Sequence, residues 1–145
     1  MNDSVVILIA EDDDGHFSLI TKNLTRAGIC NQVIQFRDGQ ETLDFLLGEG
    51  SGPKRVENMP YILLLDIRMP KVDGIAVLKR LKDDASLSRM PVVMLTTTDD
   101  PEEVDLCHGL GCSMYVAKPV EYDDFTHMIR KMGAFFSIVQ VPVLV

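Results

Sequence analysis

The stretch YILLLDIRMPKVDG, residues 61–74, decides the fold of this chain. It opens with five consecutive apolar residues, Tyr61–Leu65, and then changes at once to the carboxylate of Asp66. An apolar run without alternation is typical of a strand that is covered on both faces, as in a parallel sheet between helices. The stretch therefore predicts a central, buried strand with Asp66 at its carboxyl end.

Four further apolar runs accompany this strand, and helical patterns separate all five. The runs are Val5–Ala10, Val33–Phe36, Val92–Leu95 and Met114–Ala117. Apolar residues spaced three and four apart predict helices after a capping Asp14, over Gln40–Leu47, over Gly74–Leu81 and over Tyr122–Phe136. A capping Asp100 that is followed by Pro101 and two acidic residues predicts the start of another helix. Strands and helices in strict alternation predict an α/β protein with a doubly wound, five-stranded parallel sheet and right-handed crossovers.

Composition and charge restrict the classes of partner. A chain of 145 residues that is 46% apolar and 25% charged has the balance of one soluble globular domain. Its formal net charge of −8 repels phosphate backbones and anionic lipid, so we expect neither nucleic acid nor a membrane surface as a direct partner. Three cysteines without metal-finger spacing, and an N-terminus without the basic lead of a signal peptide, predict a cytoplasmic protein.

Side chains that can carry chemistry follow four of the five predicted strands. They are Glu11 and Asp12 after the first strand, Asp66 after the third, Thr96 and Thr97 after the fourth, and Lys118 after the fifth. Singly, each has an ordinary explanation as a helix cap or a turn residue. However, the carboxyl ends of parallel strands meet at one edge of the sheet, and a carboxylate beside a buried strand is costly without a cation. The joint pattern therefore predicts a functional site at this edge.

This set of side chains suits the capture of a phosphoryl group by an aspartate. The predicted ligands for Mg²⁺, or for another divalent cation such as Mn²⁺ or Ca²⁺, are the carboxylates of Glu11, Asp12 and Asp66 and the backbone carbonyl of Arg68. With Mg²⁺ and Lys118 in place the formal charge of the site is zero, so Asp66 stays ionised and can attack phosphorus in line. Lys118 and the Thr96 hydroxyl would hold the phosphoryl oxygens. The predicted product is an acyl phosphate on Asp66.

The same residues resemble the receiver domain of two-component response regulators. The resemblance rests on Glu11-Asp12, LLLDIRMPKVDG at 63–74, PVVMLT at 91–96 and YVAKP at 115–119, and it extends over Val5–Lys131. It implies a flavodoxin-like fold with strand order 2-1-3-4-5 and five helices, and Mg²⁺-dependent phosphotransfer from a sensor histidine kinase to Asp66. It also implies a switch in which Thr96 moves toward the phosphoryl group and Tyr115 turns inward behind it. The resemblance further implies a phosphoacceptor that catalyses only its own phosphotransfer and dephosphorylation and is not otherwise an enzyme.

Two positions depart from the commonest receiver pattern. Glu11 stands where many receivers have Asp, which lengthens one arm of the acid pair. Thr97 stands where a smaller residue is usual, and we expect its methyl and hydroxyl groups to narrow access to Asp66. The rates of phosphoryl transfer and hydrolysis would respond to both changes.

Residues 135–145 form an apolar extension after the receiver domain of residues 1–134. Eight of its eleven residues are apolar, and they either cover the domain's own core or pack against a second copy. The extension and the long loop after the second helix resemble the response regulators associated with bacterial phytochromes. In that subfamily a C-terminal extension supports a homodimer. We therefore expect a stand-alone receiver that acts downstream of a phytochrome-type kinase. The predicted dimer contacts are Phe135, Phe136, Ile138, Val139 and Val141.

Two other functions fit the sequence less well. Haloacid-dehalogenase-type phosphatases also use a doubly wound sheet, but they carry an Asp-x-Asp motif that starts at the nucleophile. In this chain Arg68 stands at the position of the second Asp of that motif. An adaptor that never takes phosphate and acts only through protein binding is the alternative function. It would need neither Asp66 nor Lys118, and both are present.

Three further features are explained without a function. The glycines of residues 48–52 follow a helix and precede a strand, which is typical of a surface loop and not of a phosphate-binding loop. Cys107 and Cys112 are five residues apart on a predicted helix, so their sulfurs point about 140° apart and are unsuited to one metal ion. For His16 and His127 the sequence indicates no acid–base partner.

Overall fold

The computed structural model describes residues 1–145 and contains six strands and five helices. In chain order these are β1 (Val6–Ala10), α1 (Asp14–Arg26), β2 (Val33–Phe36), α2 (Gly39–Leu47), β3 (Met59–Leu65), α3 (Gly74–Lys82), β4 (Val92–Thr96), α4 (Pro101–Gly109), β5 (Met114–Ala117), α5 (Tyr122–Phe136) and β6 (Val143–Leu144). A single 3₁₀ turn, Leu87–Arg89, precedes β4. None of the helices is both long and apolar enough to cross a bilayer.

Five of the strands form one parallel sheet in the order β2-β1-β3-β4-β5. In its registers Ala10 of β1 lies opposite Leu65 of β3, and Leu65 lies opposite Met94 of β4. This order confirms the predicted flavodoxin-like, doubly wound fold with five helices. The chain direction across the sheet reverses between β1 and β3, so the strand ends that carry Glu11 and Asp66 flank the point where such folds bind ligands.

Both faces of the sheet are covered, which explains the apolar runs without alternation. Ile7 and Ile9 of β1 belong to an apolar cluster with residues of α1 and α5, whereas Leu8 and Ala10 belong to a second cluster with residues of α2, α3 and α4. Every residue of β1 is buried. Because successive strand residues point to opposite faces, a strand between two helical layers must be apolar at each position.

Four of the helices begin at an aspartate whose carboxylate accepts a hydrogen bond from a backbone N–H of the first turn. These cap residues are Asp13, Asp38, Asp73 and Asp100. The prediction of Asp14 as the first cap is wrong by one residue: Asp14 is already helical, and its carboxylate pairs with Arg37 at 2.7 Å. Short polar side chains at this position replace hydrogen bonds that the helix cannot supply.

The C-terminal strand β6 is the element that the sequence pattern does not predict. It pairs antiparallel with the first residues of β3, so that Leu144 lies opposite Met59 and Val143 lies opposite Pro60. The Leu144 side chain is fully buried in the apolar cluster that faces α2, α3 and α4. The extension therefore covers the amino end of β3, whereas Asp66 follows the carboxyl end of the same strand.

The five predicted dimer contacts lie in two different environments. Phe136 is fully buried, and Val139 and Val141 pack against the cluster that faces α1 and α5. Phe135 and Ile138 are 42% and 74% exposed. Both alternatives for the extension therefore stay open. Part of its apolar surface covers the chain's own core, and the apolar side chains that remain at the surface are Phe135, Ile138, Val143 and Val145.

Candidate functional site

Three carboxylates meet at the carboxyl ends of β1 and β3. Glu11, Asp12 and Asp66 each offer one oxygen, and these oxygens lie within 4.8 Å of one another. The paired strands hold them there, because the Asp66 N–H donates to the Ala10 carbonyl at 3.1 Å. Glu11 and Asp66 are buried and Asp12 is exposed. The two buried carboxylates are therefore fixed by the sheet, and the third one borders the solvent.

Lys118 supplies the positive charge inside this cluster. Its Nζ donates to Glu11 Oε2 at 2.6 Å and to Asp66 Oδ2 at 3.2 Å, and its side chain is almost completely buried. Burial raises the pKa of Glu11 above its ordinary value, and the ammonium of Lys118 offsets only part of that effect. One ammonium among three carboxylates leaves excess negative charge at the edge of the sheet, which favours a cation.

The donor set fits a hard divalent cation. Carboxylate oxygens are the ligands that Mg²⁺ and Mn²⁺ prefer, and the exposed side of Asp12 leaves room for the waters that Mg²⁺ retains. The backbone nitrogen of Arg68 lies 3.4 Å from Asp66 Oδ1, so the Arg68 backbone runs beside the Asp66 carboxylate. The three carboxylates could hold the ion, and the Arg68 carbonyl stays a predicted fourth ligand.

The loop that follows Asp66 is held by Gly74. The Gly74 N–H donates to the Ile67 carbonyl at 2.7 Å, and a Cβ at this position would lie 2.1 Å from the Asp66 carbonyl oxygen. Any side chain at position 74 would therefore push the start of α3 away from Asp66. The glycine of the stretch at 61–74 is explained by this close approach of two backbone segments.

Thr96 carries a polar atom without a protein partner. It is the last residue of β4, it is completely buried, and its Oγ1 makes no hydrogen bond. A buried hydroxyl without a partner costs about 1–3 kcal/mol. Thr97, the next residue, is exposed. The buried hydroxyl at the strand end is thus available for a group that enters the site.

Tyr115 connects β5 to the segment after Thr96. Its ring packs against the apolar cluster that faces α2, α3 and α4, and its hydroxyl donates to the Thr98 carbonyl at 2.8 Å. Burial raises the pKa of Tyr115 to about 12, so the hydroxyl stays a donor at neutral pH. A movement of the backbone at 96–98 would therefore change this hydrogen bond.

His16 also lies in the carboxylate cluster around Lys118, although the sequence pattern does not predict it. Its Nδ1 lies 3.4 Å from Lys118 Nζ and 3.5 Å from Glu11 Oε1, and its ring stacks on Phe125 with centroids 5.5 Å apart. The inference that His16 has no acid–base partner is wrong. His16 lies in the first turn of a helix that follows an acidic strand end, and that position could have indicated it. His127, by contrast, is exposed on α5.

Comparison with known proteins identifies relatives of the whole fold. Residues 7–130 match the family described as response regulator receiver domain. A receiver domain from Rhodospirillum rubrum shares 42% identity, with a TM-score of 0.90 over 96% of this chain and 98% of that one. Response regulator Rcp1 of Synechocystis is 32% identical over 93% of this chain and 90% of its own length.

Two of the solved structures carry information on their own sites in addition to the fold. The Mn²⁺-bound form of Rcp1 has a TM-score of 0.83 at 31% identity, over 94% of this chain and 98% of that one. The phosphorylated cyanobacterial phytochrome response regulator RcpA has a TM-score of 0.81 at 27% identity, over 94% and 97%. The family match spans most of the chain. This protein therefore belongs to the response regulator receiver domain family.

Proposed function

We propose that this chain is a response regulator that takes a phosphoryl group from a sensor histidine kinase onto Asp66, in a reaction that requires Mg²⁺ or a similar divalent cation. The observation that carries the proposal is the convergence of Glu11, Asp12 and Asp66 within 4.8 Å, with Lys118 bound to Asp66. The Mn²⁺-bound form of Rcp1 supports the cation, and phosphorylated RcpA supports the modification.

In the proposed transfer, Asp66 attacks the phosphorus of a phosphohistidine on the kinase. A carboxylate oxygen forms the new P–O bond as the P–N bond breaks, and the imidazole nitrogen of the donor keeps the electron pair. The cation held by Glu11, Asp12, Asp66 and the Arg68 carbonyl would neutralise charge on the transferring oxygens. Lys118 and the Thr96 hydroxyl donate to the same oxygens. When Asp66 is phosphorylated and its hydrogen bond with Lys118 is lost, the ammonium of Lys118 keeps its hydrogen bond to Glu11.

The proposed switch begins at Thr96. Its buried hydroxyl gains a partner when a phosphoryl oxygen arrives, so phosphorylation favours a backbone shift that brings it closer. The Tyr115 hydroxyl follows, because it is bound to the carbonyl two residues further along. The surface formed by α4 and β5 would then differ between the two states and could be recognised by a downstream partner.

The phytochrome connection and the homodimer are parts of the same proposal. RcpA is a phytochrome response regulator, and its likeness over 94% of this chain supports a phytochrome-type kinase as the upstream partner in the cytoplasm. The exposed Phe135 and Ile138 support a contact between two copies, with Phe136 behind them in the core. Sedimentation over a range of concentrations tests the dimer, and a concentration-independent monomer mass would remove it.

Intact mass after incubation with acetyl phosphate and Mg²⁺ tests the phosphoacceptor. We expect one added phosphoryl group on the wild type and on Asp105→Asn, an exposed carboxylate on α4 that serves as the matched control. We expect none on Asp66→Asn and none when a chelator replaces Mg²⁺. An adduct that persists on Asp66→Asn would place the acceptor elsewhere.

The adaptor alternative predicts a different result from the same samples. A folded protein that binds Mg²⁺ but gains no mass in any sample would favour protein binding without phosphorylation. Thr97→Ala then decides whether the side chain at position 97 blocks the donor. Recovery of the adduct in that variant would restore the phosphoacceptor function.

A further inference from the structure

We propose that His16 is a positioning residue for Lys118, whose ammonium donates a hydrogen bond to His16 Nδ1. The inference rests on the proposed function, because Lys118 matters to the reaction only if a phosphoryl group enters the site. His16 belongs to α1 and Lys118 follows β5, so the contact joins two distant parts of the chain.

The Lys118 ammonium has three N–H donors and three acceptors around it. Glu11 Oε2 lies at 2.6 Å, Asp66 Oδ2 at 3.2 Å and His16 Nδ1 at 3.4 Å. With His16 in place the lysine side chain is 1% exposed, so the imidazole and not bulk water is the third acceptor. A ring of similar size without an acceptor at position 16 would leave one N–H of a buried cation without a partner, which buried polar groups rarely tolerate.

The surroundings also assign the direction of this hydrogen bond. Nδ1 could instead donate to Glu11 Oε1, which lies 3.5 Å away. That oxygen has another donor in the Asp13 N–H at 3.3 Å and does not depend on the imidazole, whereas the third N–H of Lys118 has only the imidazole as acceptor. The geometry thus favours the tautomer with an unprotonated Nδ1 and a proton on Nε2.

Two further contacts fix the ring in place. The His16 N–H donates to Asp13 Oδ1 at 2.9 Å, which holds the backbone in the first turn of α1. The ring stacks on Phe125 with an interplanar angle of 25°. Phe125 is buried in the first helical turn of α5, so α1 and α5 together hold the ring over Lys118.

The consequence for the reaction is a restricted set of lysine positions. An ammonium held on three sides is in place to bind phosphoryl oxygens, whereas a lysine that has lost one partner can turn toward Glu11 alone. We therefore expect loss of the His16 acceptor to slow phosphorylation. Mg²⁺ binding should be little affected, because the three clustered carboxylates remain.

Three substitutions at position 16 separate the effect of the hydrogen-bond acceptor from the effect of the stacked ring. His16→Asn keeps a polar atom near the position of Nδ1, His16→Gln places it near Nε2, and His16→Phe keeps the stacking on Phe125 without an acceptor. His127→Phe, on the exposed side of α5, is the matched control. The measurements are the rate constant for phosphorylation by acetyl phosphate and the Kd of Mg²⁺.

We expect His16→Phe and His16→Gln to be phosphorylated about tenfold more slowly than the wild type, which is the loss of one charge-assisted hydrogen bond. His16→Asn should recover to within about threefold of the wild type, and the Mg²⁺ Kd should change less than about twofold throughout. A general structural defect would instead weaken metal binding and transfer together. An unchanged rate in His16→Phe, or equal losses in all three variants, would overturn the inference.

A second measurement needs no phosphorylation. The ¹⁵N resonances of His16 in the metal-free wild type, recorded at a pH where imidazole is neutral, distinguish the two tautomers. We expect an unprotonated Nδ1, and a protonated Nδ1 would overturn the inference. If the wild type itself accepts no phosphoryl group, the proposed function fails, and this spectrum decides the role of His16 by itself.

Discussion

The two ends of strand β3 bury side chains under opposite conditions. At the amino end, β6 of the same chain pairs with Met59 and Pro60 and buries Leu144 completely. At the carboxyl end, Asp66 lies in a cluster with more carboxylates than cations, beside the unpartnered hydroxyl of Thr96. One end is completed by the chain, whereas the other carries more carboxylate charge than Lys118 balances and a buried hydroxyl without a protein partner.

Hydrogen bonding at the amino end supports this contrast. The Asn58 N–H donates to the Leu144 carbonyl at 2.8 Å, and Arg55 Nη2 and Ser86 Oγ donate to a Val145 oxygen at 3.0 and 2.6 Å. The backbone oxygens of the last two residues of the extension thus find partners. These contacts stabilise the amino end, whereas the unbalanced charge and the unpartnered hydroxyl at the carboxyl end cost stability, which is common for functional sites.

The largest effect is expected from the removal of Lys118. Lys118→Met keeps most of the buried stem but leaves Glu11 and Asp66 without a cation, so the metal-free protein should lose about 3 kcal/mol in its free energy of unfolding. Urea denaturation measures the loss, and added Mg²⁺ should restore part of it. Lys131→Met, an exposed lysine on α5, should stay within about 0.5 kcal/mol of the wild type. Equal free energies of unfolding for Lys118→Met and Lys131→Met would contradict the view that the carboxyl end of β3 depends on a cation.

At the other end of β3, Leu144→Ala should cost about 2 kcal/mol, because it opens a cavity under a short terminal strand that can relax in part. Val143→Ala is the matched control, since Val143 is 51% exposed and should lose less than about 0.5 kcal/mol. Neither variant should change the Kd of Mg²⁺. A loss in Leu144→Ala that varies with protein concentration would show that the extension is shared between copies.

The fold and the site's main residues could be predicted because they depend on local patterns. A strand covered on both faces must be apolar throughout, and the next residue lies at the edge of the sheet where ligands bind. This is why Asp66 and Lys118 could be singled out from the sequence. Their partners across the sheet follow from the strand order 2-1-3-4-5, which the resemblance to receiver domains implies and which the alternation of strands and helices alone leaves open.

The position of β6 and the contacts of His16 could not be predicted in the same way. β6 pairs with a strand more than eighty residues earlier, and an apolar tail can pack on its own chain or on a copy with the same composition. The contact between His16 and Lys118 depends on how α1 and α5 pack. Gly133 illustrates the constraint, because a Cβ there would lie 2.6 Å from Ala27 Cβ. Such contacts depend on how the helices pack in three dimensions, which the spacing of apolar residues in the sequence does not determine.

A smaller effect of opposite sign is expected at Thr96. Thr96→Val removes the unpartnered hydroxyl and keeps the shape of the side chain, so the unmodified protein should gain about 1 kcal/mol. The same variant should be phosphorylated about tenfold more slowly, because one donor to the phosphoryl oxygens is lost. Thr97→Val, at the exposed neighbour, should change stability by less than about 0.5 kcal/mol. A destabilised Thr96→Val would mean that the hydroxyl is already satisfied.

The smallest effect is expected in the pH dependence of the free energy of unfolding, because Lys118 offsets part of the effect that burial has on the pKa of Glu11. Because the pKa of Glu11 is raised in the folded protein, the folded state binds this proton more tightly than the unfolded chain does. The stability of the metal-free wild type, relative to Glu11→Gln, should therefore fall as pH rises from the ordinary value of 4.5 through the raised one.

Saturating Mg²⁺ should reverse the sign of this dependence. A cation on Glu11 favours the ionised carboxylate and lowers its pKa, so the stability of the wild type relative to Glu11→Gln should rise with pH across the acid range. Urea denaturation of both proteins at several pH values, with Mg²⁺ and with a chelator, measures the difference. Asp13 and Asp14, whose carboxyl pKa values are lowered by hydrogen bonds, cancel because they occur in both proteins. Parallel curves with and without Mg²⁺ would mean that Glu11 does not hold the ion, and the carboxyl end of β3 would then need another explanation for its unbalanced charge.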